Sequence, residues 1–166
     1  MGSVYRAQHR SAAFAERFGG DVAIKVLHEH YTNRPEILRR FEREAALGIQ
    51  LQHPGIVKVH EMLVDGSRFA LAMELVEGRQ LSDMIGMETG PIDWSRAAPL
   101  VIQLLDAIEY AHSQGVVHRD LKPDNIMISA TGHAKLVDFA VSRIIEADTR
   151  EQQIYIAVGT RAYKSP

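Results

Sequence analysis

The chain has 166 residues, 21 of them acidic and 19 basic, and no cysteine. That length suffices to bury one ordinary core. The charge balance excludes a large positive field for nucleic acid, and the missing cysteine excludes disulfides, zinc–thiolate centres and a thiol nucleophile.

Ser3 to Gln8 and Asp21 to Leu27 read as short strands, with the stretch holding Gly19-Gly20 between them as a loop. Pro35 suits a helix first turn, and Ile37, Leu38, Phe41, Ala45 and Ile49 follow at helical spacing until His53-Pro54-Gly55 breaks the helix. Ile56 to Val64 and Phe69 to Val76 predict two strands joined by an Asp65-Gly66-Ser67 turn. Beyond Glu77-Gly78 the character becomes helical. Trp94 to Ser113 carries Ala97, Val101, Leu104, Leu105, Ile108 and Ala111 on one face, and Gln114-Gly115 closes it. Gln103 and Asp106 interrupt the apolar stretch Ala97 to Ile108, so it reads as a core helix and not a membrane span. The N-terminus lacks the charged-then-apolar order of a signal peptide. Together these features predict a soluble, cytoplasmic chain of α+β class. It divides into a β-rich part over 1–77 and a helical part over 78–166, with an active site in the crevice where they meet.

Residues 118–125 carry the densest chemistry: His118-Arg119-Asp120-Leu121-Lys122-Pro123-Asp124-Asn125. An Asp, a Lys two residues on and an Asn five residues on can gather around one phosphate and one metal ion. Asp138-Phe139 follows as a second source of metal ligands. An isolated Asp-rich stretch is more often a solvated turn, but eight consecutive matched positions are not. These two motifs resemble the catalytic loop and metal-binding segment of the protein kinases, and the bacterial-type serine/threonine kinases in particular. The resemblance runs from Gly2 to Pro166 and implies the two-lobed kinase fold.

What the resemblance implies is phosphoryl transfer from ATP, with Mg²⁺, to Ser/Thr hydroxyls of a protein substrate. Asp120 then orients the acceptor hydroxyl, Lys122 offsets charge on the transferring group, and Asn125 and Asp138 ligate magnesium. Lys25, in Val22-Ala23-Ile24-Lys25, resembles the lysine that contacts the α- and β-phosphates, with Glu44 as its partner. The rival acid Glu42 lies two positions away and points about 200° round the helix. Met73-Glu74-Leu75-Val76 resembles the link whose backbone holds adenine, and Val4, Ala23 and Met127 are expected on the faces of the base. Gly2 belongs to the remnant of a glycine-rich phosphate loop, and Thr160 is expected to bond Asp120 and Lys122. Thr149 is the expected autophosphorylation site. His28-Glu29-His30 lacks the spacing of a helical metal site and reads as a solvated loop. His118 is expected to be structural.

Three features depart from the family pattern. Only Met1-Gly2-Ser3-Val4-Tyr5 remains of the glycine-rich loop, so the first strand is expected to be missing and Met1 to be an internal methionine. Ala140 stands where the family has glycine. The chain stops at Ser165-Pro166, inside the activation segment, which predicts a truncated fragment of low stability and little activity. A non-catalytic, pseudokinase-like nucleotide-binding or interaction module is the alternative reading.

Overall fold

The computed structural model describes residues 2–87, 92–138 and 143–144. They form two compact units. The first holds the described residues of 1–52 and 57–77, and the second those of 53–56 and 78–144.

The first unit is built on a four-stranded antiparallel sheet. Its strands are β1 (Gly2–Ala7), β2 (Val22–Leu27), β3 (Val59–Asp65) and β4 (Arg68–Glu74), in the order β1-β2-β4-β3. The β3–β4 hairpin turns through left-handed Gly66, at φ 58°. Between β1 and β2 the expected loop contains a one-and-a-half-turn helix, α1 (Ala12–Arg17). Six residues rich in alanine favour helix, but they are too few to display an apolar period. A second short helix, α2 (Glu29–Thr32), leads into α3 (Pro35–Gln50), whose Pro35 sits at the start as the sequence predicts. Phe41 and Ala45 of α3 pack with Leu27 and Leu71 of the sheet, and Ile37, Leu38, Met62 and Phe69 close around them. Gly48 lets the helix lie against β3, since a Cβ there would come within 2.3 Å of the Val59 side chain.

The second unit begins with β5 (Gly78–Gln80), a three-residue strand where the sequence suggests helix, followed by α4 (Leu81–Met87). Next comes α5 (Trp94–Ser113), capped by Asp93, which accepts a hydrogen bond from the Ser95 N–H at 2.8 Å. Gly115, at φ 73°, closes α5 with its N–H donated to the His112 carbonyl. Then follow β6 (Val116–Val117), a 3₁₀ turn (Pro123–Asn125), β7 (Ile126–Ser129), β8 (Ala134–Leu136) and β9 (Arg143–Ile144). β5, β7 and β8 make one sheet, and β6 pairs with β9.

The expected face of α5 is buried in part: Ala111 is buried and Ala97, Leu104 and Ile108 are half-buried, whereas Val101 and Leu105 are 40% and 58% exposed and Ala107 is buried in addition. A helix apolar most of the way round offers two stripes of the right period, and the contacts with β6 and β8 choose between them. His53-Pro54-Gly55, read from sequence only as a helix breaker, crosses into this unit. His53 pairs with Asp106 of α5 at 3.3 Å and stacks on Tyr110, and the Gly55 carbonyl accepts the Leu136 N–H.

Candidate active site

In the first unit, Lys25 lies on the face of β2 shared with Ala23 and Leu27, because strand side chains alternate. That face looks onto α3, and Lys25 Nζ meets Glu44 Oε1 at 2.7 Å. Both residues are buried, at 9% and 5% exposure, while Glu42 is exposed. Glu44 shares the inward stripe of Phe41 and Gly48, three residues before and four after it, so the docking of α3 decides which acid reaches the lysine.

The other first-unit candidates fall on sheet and link. Gly2 sits within β1 opposite Leu27, and Val4 opposite Lys25 with its side chain 60% exposed. Ala23 pairs with Met73 across β2 and β4. Glu74 ends β4, its N–H donated to the Lys58 carbonyl at 2.8 Å, and half-buried Val76 follows in the segment between strands.

In the second unit, the catalytic-loop candidates form a connected polar cluster. The Asn125 amide nitrogen donates to the Asp120 carbonyl at 2.8 Å and to Asp120 Oδ2 at 3.2 Å. Lys122 Nζ lies 3.3 Å from the same Oδ2. With its nitrogen so committed, Asn125 keeps Oδ1, a hard oxygen, as its acceptor. The β7–β8 hairpin bonds the residue before Asp138 to this cluster. Its register pairs Ile126 with Leu136, and the Val137 N–H continues it by donating to the Asn125 carbonyl at 3.0 Å. Met127 lies on β7 opposite Lys135.

His118 locks the cluster from beneath. It is 6% exposed, accepts the Asp120 N–H on Nδ1 at 3.3 Å, and shares a hydrogen with the Val137 carbonyl through Nε2 at 3.2 Å. Both bonds are satisfied at once by the neutral imidazole with its proton on Nε2. Burial pushes the His118 pKa down, opposed by the Val137 carbonyl and by the charges of Asp138 and Asp120. A group that burial keeps neutral and two backbone bonds hold in place is a strut, as the sequence suggests.

Two strained residues flank this chemistry. Arg119 and Asp138 each hold φ at 64°, and no other described non-glycine residue has positive φ. Side chains in this region cost on the order of 1 kcal/mol or more, and such strain gathers at functional sites. Sequence gave no sign of it at Arg119, because nothing in an arginine announces a left-handed backbone. Thr149, Thr160, Phe139 and Ala140 lie outside the described residues.

Asn125 and Asp138 suit magnesium. They offer hard oxygens from two segments tied by one backbone hydrogen bond, and magnesium favours one or two such ligands beside water and phosphate. Among the described residues no three His, Cys, Asp or Glu side chains cluster in a way that would hold a metal by themselves.

A buried lysine–acid pair between strand and helix, and a loop carrying Asp, Lys and Asn bonded to the residue before a second Asp, are features of the protein-kinase class. Residues 1–166 match the protein kinase domain, and the chain belongs to that family. It is 40% identical to the serine/threonine-protein kinase PkaA of Streptomyces coelicolor, over 99% of this chain and 32% of that protein. It is 37% identical to the serine/threonine-protein kinase pkn2 of Myxococcus xanthus, and 36% identical to PknA of Mycobacterium tuberculosis, over all of this chain. Those matches cover 20% and 38% of the two relatives, so the chain spans well under half of the curated relatives it matches. The class is thus the bacterial type of serine/threonine kinase domain, α+β in structure. Among the described residues no helix is long and apolar enough to cross a membrane.

Proposed function

We propose that this domain transfers the γ-phosphoryl group of ATP to Ser or Thr hydroxyls of protein substrates, in the cytoplasm. The observation that carries the reading is the Asp120–Lys122–Asn125 cluster, joined through the Asn125 carbonyl to the residue before Asp138. Phosphoryl transfer asks little covalent chemistry of a protein and much positioning. Asp120, held by the Asn125 amide, orients the acceptor hydroxyl and takes its proton. Lys122 Nζ, beside the same carboxylate, offsets charge on the group in flight. Thr160 is assigned to hold these two.

Asn125 and Asp138 are the proposed ligands of Mg²⁺, which when bound neutralises phosphate charge. Lys25, fixed by Glu44, is assigned to the α- and β-phosphates, and Gly2 to the backbone covering them. The base is assigned to the Glu74 and Val76 backbone beside Met73, with Val4, Ala23 and Met127 against its faces. The proposed domain limits are 1–77 for the sheet lobe and 78–166 for the helical lobe. Names of the relatives support the Ser/Thr acceptor.

The test is transfer of radiolabelled γ-phosphate to a general protein substrate by the full-length protein and by its Asp120→Asn variant. Serine or threonine labelling that disappears in the variant is expected. Labelling that survives in the variant overturns the mechanism.

A further inference from the structure

The exposed face of α3 carries Arg39, Arg40 and Arg43, in a chain of net charge −2. Arg43 is one helical turn from both others, so the three guanidinium groups share one side of the helix. Among the described residues none of the three forms an ion pair. Glu36 and Glu42 stand at the right spacing, four residues before Arg40 and three after Arg39, yet they are not engaged.

Arg43 has like charges at i−4 and i−3, while Arg39 and Arg40 also have Glu36 and Glu42 nearby. Like charges at i,i+3 and i,i+4 destabilise a helix. The last turn, where the macrodipole would favour cations, holds no basic residue. The adjoining face is buried through Phe41, Glu44, Ala45, Leu47 and Gly48, with Arg40 one turn before Glu44 and Arg43 one turn before Leu47. The arginines therefore project from a rigidly docked element. All three are arginine and none is lysine, which suits planar, forked recognition of carboxylates. Local charge placement that costs the element stability with no compensating contact is what a binding surface leaves behind.

We propose that the exposed face of α3 is a docking surface for an acidic segment of a protein partner, bound through Arg39, Arg40 and Arg43. Three guanidinium groups spread over more than one helical turn fit a row of carboxylates better than a single anion. The inference does not rest on phosphoryl transfer, although the same helix presents Glu44 to Lys25.

The test is fluorescence anisotropy of a labelled Glu/Asp-rich peptide titrated with the full-length protein at low salt. Binding that weakens with added salt is expected. It should fall by about tenfold or more in the Arg39→Gln/Arg40→Gln/Arg43→Gln variant. The Glu36→Gln/Glu42→Gln variant, which removes the neighbouring negative charge, should bind more tightly and guards against a misfolded triple variant. Absence of binding by the unaltered protein overturns the proposal, as does equal binding by all three proteins. Stronger binding of a single-stranded oligonucleotide at the same arginines would make this a general polyanion surface and would also overturn it.

Discussion

The Lys25–Glu44 pair and the Asp120 cluster are both charged and both shielded, yet they are built on opposite plans. Lys25 and Glu44 meet in one short contact beneath a sheet, where two charges have left water together. Asp120, Lys122 and Asn125 share several longer contacts on a loop, next to two residues held in left-handed backbone. The first plan ties charge to the stability of the fold. The second sets linked polar atoms on a loop beside strained backbone. Damage should therefore read out as lost stability at the first and lost turnover at the second.

The largest expected effect is on catalysis. Asp120→Ala in the full-length protein should lower kcat by about 10²–10⁴-fold, the usual worth of positioned acid–base groups. Its melting temperature should barely move, because the Asn125 amide keeps its bond to the residue-120 carbonyl. A large melting shift with modest loss of turnover would erase the contrast.

Glu44→Ala should do the reverse to stability. It strands the Lys25 ammonium in a buried site and should cost about 3–5 kcal/mol in urea unfolding. The double variant Lys25→Met/Glu44→Leu should recover most of that stability without recovering activity. If the double variant were as unstable as the single, the pair would matter for packing and not for charge.

Acid is a milder probe of the second region. The folded protein holds His118 neutral, with its pKa below the ordinary imidazole value of 6.5. Below that value the unfolded chain binds more protons at this residue, so stability is intact above it and declines as pH falls. Protonating Nδ1 also costs the hydrogen bond from Asp120 N–H. Melting temperatures should drop as pH falls below the ordinary imidazole value, and His118→Gln should flatten that slope.

The smallest effect calibrates the strain. Gly115 holds φ at 73° with open space where a Cβ would lie, so Gly115→Ala reports backbone strain alone. A loss of about 1 kcal/mol is expected, a measure of what Arg119 and Asp138 bear. No loss would mean that the left-handed backbone near the cluster stores little.

Much of this molecule was legible in the order of its residues. Pro35, the Asp65-Gly66-Ser67 turn and Gly115 bound their elements by backbone preferences that act within a few residues, and α5 runs from Trp94 to Ser113 as its period predicts. The motif at 118–125 could be read because its members are close in the chain. Tertiary structure decided what lies beyond that range. Helix α1 is too short to show a period, and the two apolar stripes of α5 differ only in what packs on them. Glu44 stands 19 residues from Lys25, and the docking of α3 selects it over Glu42. Val137, the residue before Asp138, bonds to Asn125 because a hairpin register closes the intervening chain. Local sequence sets what each residue prefers, whereas contacts between distant segments depend on the closed core, which no short window contains.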